Sequence, residues 1–169
     1  MAVLPVVLSA VLLFSDRAQQ GASNDSERSH SIREAEVGLD KMTRELRQAH
    51  TLISVGAYKV EFRGGLLDKH VVHDCSEPHP TEVTLMRCVR FEVAANGVQT
   101  IRETLIDRLA NQQPGSPSTP VFSYTPSSLL AKHVRLKIEV NARGARQEGY
   151  RYRVVLDDGV NLRNRDLEN

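Results

Sequence analysis

Between Ile32 and Ile53 the apolar residues Ile32, Ala35, Leu39, Met42, Leu46, Ala49 and Ile53 recur at alternating steps of three and four. That spacing predicts one narrow stripe along a helix. Such a stripe constrains the rest of the chain, because a helix of this kind is held by packing its apolar face. On the polar side, Asp40 and Arg44 stand at i,i+4, worth about 0.2 to 0.5 kcal/mol. Gly56 follows the last apolar position as a C-terminal stop. Upstream, Met1 to Phe14 is almost wholly apolar, and no proline or paired glycine between Phe14 and Ile32 interrupts a helix. The expectation is one long rod: an apolar tip over 1–14, then a continuation over 15–55 whose first part, rich in Asp, Arg, Gln and Glu, is solvated or lies against other subunits.

The tip is 14 residues long, short of the roughly 20 apolar residues that cross a bilayer. No Lys or Arg precedes it, and no small-x-small cleavage site follows before Asp16 and Arg17. Two readings stay open: the entry helix of a cytosolic domain, or a start that falls inside a longer hydrophobic segment. Pro5 fits the second at least as well, since membrane helices tolerate proline.

After Gly56 the period turns from helical to alternating. Tyr58, Val60 and Phe62 share one side before the Gly64-Gly65 turn. Leu67 to Asp74 reads as a second strand. Val83, Leu85, Val89, Phe91 and Val93 form a third, with Arg87 interrupting its apolar side. Asn96-Gly97 is a tight-turn signal before Val98 to Thr104. Leu105 to Leu109 reads as a helical turn, and 111–120 as a loop. Val121 to Tyr124, Val134 to Val140, Tyr150 to Leu156 and Val160 to Arg163 complete the strands. The connections are too short for crossovers, so the sheet is antiparallel. Its apolar side needs a cover, and the stripe is the only long one available. The fold class expected is α+β: a long N-terminal helix packed on an antiparallel β-sheet, with 56–169 as the globular β-domain.

The apolar head with its proline, the helix through Gly38-Leu39-Asp40-Lys41-Met42-Thr43-Arg44-Glu45-Leu46-Arg47-Gln48-Ala49, and the sheet that follows together resemble the type IV pilin superfamily. Within it the likeness is to larger minor pilins, J-type pseudopilins and prepilin-like proteins. Pro120-Val121-Phe122-Ser123-Tyr124, Val134 to Val140 and Val160-Asn161-Leu162-Arg163-Asn164 are similar to that group as well. The chain departs from it in lacking a basic leader and the Phe-Thr-Leu-x-Glu opening; Met1-Ala2-Val3-Leu4 resembles the middle of such a helix. The expected true start is therefore upstream, and no residue is assigned to processing or methylation. The resemblance implies a non-enzymatic subunit of a type IV pilus or type II secretion-like filament. Its partners would be other pilin or pseudopilin subunits, the assembly machinery and the cytoplasmic membrane. It would be single-pass with its globular domain outside the cytoplasm, then part of an extracellular filament. The alternatives are a cell-surface binding module with that fold, serving DNA uptake or adhesion, and a secreted enzyme of unrecognised type.

Candidate chemistry is sparse. Lys plus Arg (22) nearly cancels Asp plus Glu (21), so any electrostatic role is local. Cys75 and Cys88, thirteen positions apart around a proline-containing loop, suit one extracytoplasmic disulfide worth about 3 kcal/mol in the chain-entropy treatment. The alternative is two free thiols buried as small apolar residues. His70, His73, Cys75, His79 and Cys88 are of zinc-ligating type, but His70 and His73 on one strand point to opposite faces. Asp157, Asp158, Asn161, Asp166 and Glu168 offer oxygens to calcium without the spacing of a calcium loop. From Ser127 onward nine Lys or Arg face six Asp or Glu. Among Arg143, Arg146, Arg151, Arg153, Arg163 and Arg165, the pair Arg151 and Arg153 share a strand face and are the candidate nucleic-acid contacts. No GxSxG, glycine-rich phosphate loop or close Ser/His/Asp arrangement is present. No cofactor is expected.

Overall fold

A computed structural model describes residues 26, 28–113, 117–128, 130–141 and 153–162. Helix α1 covers 28–47, and its stripe residues Ala35, Leu39, Met42 and Leu46 are buried in the main core. The helix stops well short of Gly56. Gln48 N–H donates to Glu45 O at 3.1 Å, a tightened last turn. Thr51, Ile53 and Val55 then favour the pleated chain because they are β-branched. Ala49–Val55 is accordingly strand β1. The last two stripe members thus lie on a strand, where Ala49 is buried and Ile53 is 46% exposed. The turn between helix and strand is held by Gly65 N–H donating to Gln48 O at 3.2 Å. Gly64 is required beside it, since a Cβ there would stand 2.6 Å from Gln48 O.

The remaining strands are β2 (Lys59–Gly64), β3 (Lys69–Pro78), β4 (Met86–Val93), β5 (Gln99–Leu109), β6 (Phe122–Thr125), β7 (His133–Asn141) and β8 (Arg153–Asn161). All pair antiparallel, in the order β1-β2-β3-β4-β5-β7-β6, with β8 also on β7. The Asn96-Gly97 signal does make the β4–β5 turn, with Gly97 at φ 79°. By contrast, the expected helical turn at Leu105 to Leu109 is the end of β5. Asp157-Asp158-Gly159 lies inside β8, so two short strands expected at the C-terminal end are one.

Register shifts between β1 and β2, β3 and β4, and β4 and β5 bend the sheet. The result is a curled half-barrel. β7 pairs β8 along its whole length, β6 over His133–Leu136, and β5 only at Leu109↔Val140. β5 and β6 therefore share one edge of β7 and β8 takes the other. α1 lies in the concavity, antiparallel to β5. Lys41 Nζ meets Glu103 at 2.5 Å and Asp107 N–H donates to Glu34 Oε1 at 3.0 Å. From the opposite flank Thr43 Oγ1 donates to Asp158 of β8 at 3.0 Å. A second small cluster, Val72, Val89, Phe91 and Val93, covers the other face of β3 and β4.

This architecture overturns the expected pilin-like α+β fold and with it the membership suggested by the pilin resemblance. Strands dominate, and the one described helix ends at residue 47 and joins the closure of a curled sheet. Among the described residues no helix is long and apolar enough to cross a membrane. α1 carries Glu34, Glu36, Asp40, Lys41, Arg44, Glu45 and Arg47 along its length, which a bilayer interior would not accept. The expected single-pass anchorage and membrane partnership through the N-terminal helix, and the pilus and transmembrane assignments, are corrected on that finding: no described helix supplies a span. The apolar run at 1–14 lies outside the described residues.

Candidate functional site

Two features of α1 stand out, one beneath the helix and one along its flank. Beneath it, β3 alternates Val71, His73 and Cys75 toward the core, and β4 does the same with Cys88 and Arg90. A histidine and an arginine thus enter an otherwise apolar face and need partners from the helix. Glu45 supplies both. Its Oε2 accepts from His73 Nε2 at 2.8 Å, and its two oxygens accept from Arg90 Nε at 2.8 and 3.0 Å. Arg90 Nη2 also donates to Glu92 at 2.9 Å, and Lys69 holds Glu92 at 3.0 Å. The chain Lys69–Glu92–Arg90–Glu45–His73 therefore ties β3 and β4 to α1.

His73 has 0% exposure, with the Phe62 ring edge-on at 5.2 Å between centroids. Because a carboxylate only accepts, Nε2 carries the proton and Nδ1 is the bare nitrogen. That Nδ1 is buried with no hydrogen-bond partner. Burial pushes the His73 pKa down, Arg90 and Lys41 add to this, and Glu45 opposes them without cancelling the shift. For Glu45, burial alone would raise the pKa, but His73 and Arg90 together hold it below the ordinary carboxylate value.

Along the flank, Ser29, His30, Arg33, Val37 and Lys41 recur on one side of α1 and, with Ser26 ahead of it, face Glu103, Thr104 and Leu105 of β5. They line a groove of about 780 Å³. Gly38 forms its floor where helix and strand nearly touch: a Cβ there would lie 2.5 Å from Leu105 O. Val37 is 69% exposed in the groove wall. The charges nearly balance, with Arg33 and Lys41 against Glu34 and Glu103. Glu103 is held by Lys41, and Glu34 by the Asp107 amide.

Among the described residues, those singled out from sequence form no group of His, Cys, Asp or Glu that could hold a metal ion. Cys75 and Cys88 form a disulfide. His70 turns to Glu61 at 2.6 Å, His73 to Glu45, and His79 to Asp107 at 3.1 Å. Asp157 pairs with Arg135, Asp158 with Thr43, and Asn161 Oδ1 accepts from His133 Nδ1 at 2.9 Å. Asp166 and Glu168 lie outside the described residues, as do Arg143, Arg146, Arg151, Arg163 and Arg165. Arg153 donates to Glu139 at 3.0 Å and to Gln113 at 2.8 Å. Of the stripe, Ala35, Leu39, Met42, Leu46 and Ala49 are buried, Ile32 is partly so, and Ile53 is exposed.

Glu45, His73 and Arg90 were not legible as a group. The signal existed, since His73 alternates with Val71 and Cys75. It was obscured on β4, where the sequence suggests that Arg87 interrupts the apolar side. Arg87 in fact pairs with Glu77, and the inward face of β4 is the one that carries Cys88 and Arg90. The chain matches no model of a known protein family, no curated protein and no solved structure.

Proposed function

We propose that the protein is a non-enzymatic binding module whose ligand seat is the groove between α1 and β5. The observation that carries this reading is Val37: a large apolar side chain left 69% exposed in the wall of a groove of about 780 Å³. Grooves of that size suit small molecules, which cover such side chains and meet a few placed polar groups. The occupant is a small amphipathic molecule of low net charge, because the two cations and two carboxylates of the lining cancel. Its apolar part covers Val37, and its polar part meets Arg33, His30 and the Ser29 hydroxyl. The titratable groups beneath the helix are committed to holding α1, and the reading assigns them no reaction. The filament role implied by the pilin resemblance plays no part in it.

The test is amide chemical-shift mapping of isotope-labelled protein with a fragment set containing neutral, zwitterionic, anionic and cationic members. Neutral or zwitterionic fragments should shift residues 29–41 and 103–105, and Val37→Asp should abolish those shifts without altering the remaining spectrum. Shifts elsewhere, no shifts, or binding by the strongly charged fragments alone would overturn the reading.

A further inference from the structure

The Cys75–Cys88 disulfide lies on the inner face of β3 and β4, and neither cysteine is exposed. α1 covers it directly: the Met42 sulfur is 3.8 Å from Cys88 Sγ. A reductant therefore has no path to this bond while the helix is seated. The latch is built into the same two strands. His73 stands two residues before Cys75 on the same face, and Arg90 two residues after Cys88.

His73 can take a second proton only at Nδ1, which is buried and has no acceptor within reach. From α1 it is faced by Glu45 and Lys41, and from β4 by Arg90 with Glu92 behind it. β3 contributes Lys69, which holds Glu92, and β2 contributes the apolar ring of Phe62. Arg90 and Lys41 repel a proton at His73. The one carboxylate that would attract it, Glu45, is already shared with Arg90. With the helix raised, water would solvate a protonated His73 at both nitrogens. Proton uptake and helix opening are therefore coupled.

We propose that α1 is an acid-released lid over the Cys75–Cys88 disulfide, with His73 as the proton-sensing group and Glu45 as the catch. Reductants reach the bond more often as the pH falls below the ordinary histidine range. Reduction itself is conventional: two electrons from the reductant break the S–S bond, and with a phosphine one water supplies both the oxide oxygen and the two protons of the new thiols, whereas a dithiol passes on its own two protons. The phosphine leaves as its oxide, or the dithiol as its own disulfide. The downward displacement of the His73 pKa by burial agrees with this direction.

The experiment measures reduction of the full chain by a water-soluble phosphine between pH 7.5 and 4.5. Rates are normalised to oxidised glutathione, and thiols are counted by mass after alkylation. One proton taken up on opening predicts a normalised rate that rises about tenfold per pH unit below pH 6.5. His73→Gln keeps a donor to Glu45 but does not titrate, so its profile should be flat to about twofold. A flat wild-type profile, or the same slope in the variant, overturns the proposal. Should the variant fail to fold, hydrogen exchange of the wild type at pH 5.5 decides: a lid requires α1 amides to open at lower free energy than those of β3 and β4, and opening of all three together overturns it.

Discussion

Replacing Glu45 with Gln removes the one charge that ties the helix to two strands while leaving a side chain of nearly the same shape. Arg90 Nε approaches the two carboxylate oxygens at 2.8 and 3.0 Å, with side-chain exposures of 9% for Arg90 and 21% for Glu45. At a charge separation of about 4 Å and an effective dielectric of 20 the attraction is about 4 kcal/mol, before the cost of removing both ions from water. Deleting one partner does not recover the desolvation of the other, so truncating a buried pair costs about 3 to 5 kcal/mol, whereas an exposed pair is worth about 0 to 1. Arg90 keeps Glu92 at 2.9 Å, which moderates the loss. The expected destabilisation is thus about 2 to 3 kcal/mol, a fall of about 1 to 2 M in the urea midpoint. A double-mutant cycle with Arg90→Met should return a coupling of about 2 kcal/mol. A coupling under about 0.5 kcal/mol would show that the pair behaves as a surface contact and would refute the latch.

Gly38→Ala gains about 1 kcal/mol of helix propensity, but its Cβ would meet Leu105 O at 2.5 Å and Ile106 Cγ1 at 2.7 Å. Net destabilisation of about 1 to 2 kcal/mol in urea melts is expected, and a stabilised variant would mean that helix and strand separate freely. Replacing Cys75 and Cys88 together by Ala should cost about 3 kcal/mol for a loop closed over 13 residues; a loss below about 1 kcal/mol would place the stabilisation elsewhere. Stability should also depend on pH in a defined direction. The His73 pKa is lowered from its ordinary 6.5 in the folded chain, so below that pH the unfolded chain binds the extra proton and stability falls. Glu45, also lowered, extends the loss as pH falls below 4.5. Urea melts at pH 7.5 and 5.5 should show the lower value at pH 5.5, with a smaller difference in His73→Gln; equal midpoints in the wild type would contradict the assignment.

Local periodicity was readable where one rule acted alone. β7 follows its alternation of Val134, Leu136, Ile138 and Val140, and the Asn96-Gly97 turn follows from glycine's access to positive φ. The stripe was readable as far as Leu46. Beyond it, Ala49 and Ile53 happen to continue the helical spacing while Thr51, Ile53 and Val55 prefer a strand, and pairing with β2 decides between them. What no local pattern carries is the register between strands. The pairing of His73 with Arg90 and the contact of β8 with Thr43 join residues far apart in sequence, and the latch depends on them. The pilin likeness was built from elements in sequence order, and order alone does not specify curvature.

The single register pair between β5 and β7 leaves a seam in the sheet, with β1 to β5 on one side and β6 to β8 on the other. Asn111 stitches it beside that pair, accepting from Glu139 N–H at 2.8 Å and donating to Lys137 O at 2.8 Å. Further ties include the Val121 and Phe122 amides donating to Ala57 O at 2.8 and 2.9 Å, Tyr124 Oη donating to Gly56 O at 3.1 Å, and α1, which grips Glu103 on one bank and Asp158 on the other. In mechanical terms the helix is a tie-beam across a split shell. Raising that beam leaves the two banks still joined through Asn111 and through the Val121 and Phe122 amides, so the shell can stay closed while the helix lifts.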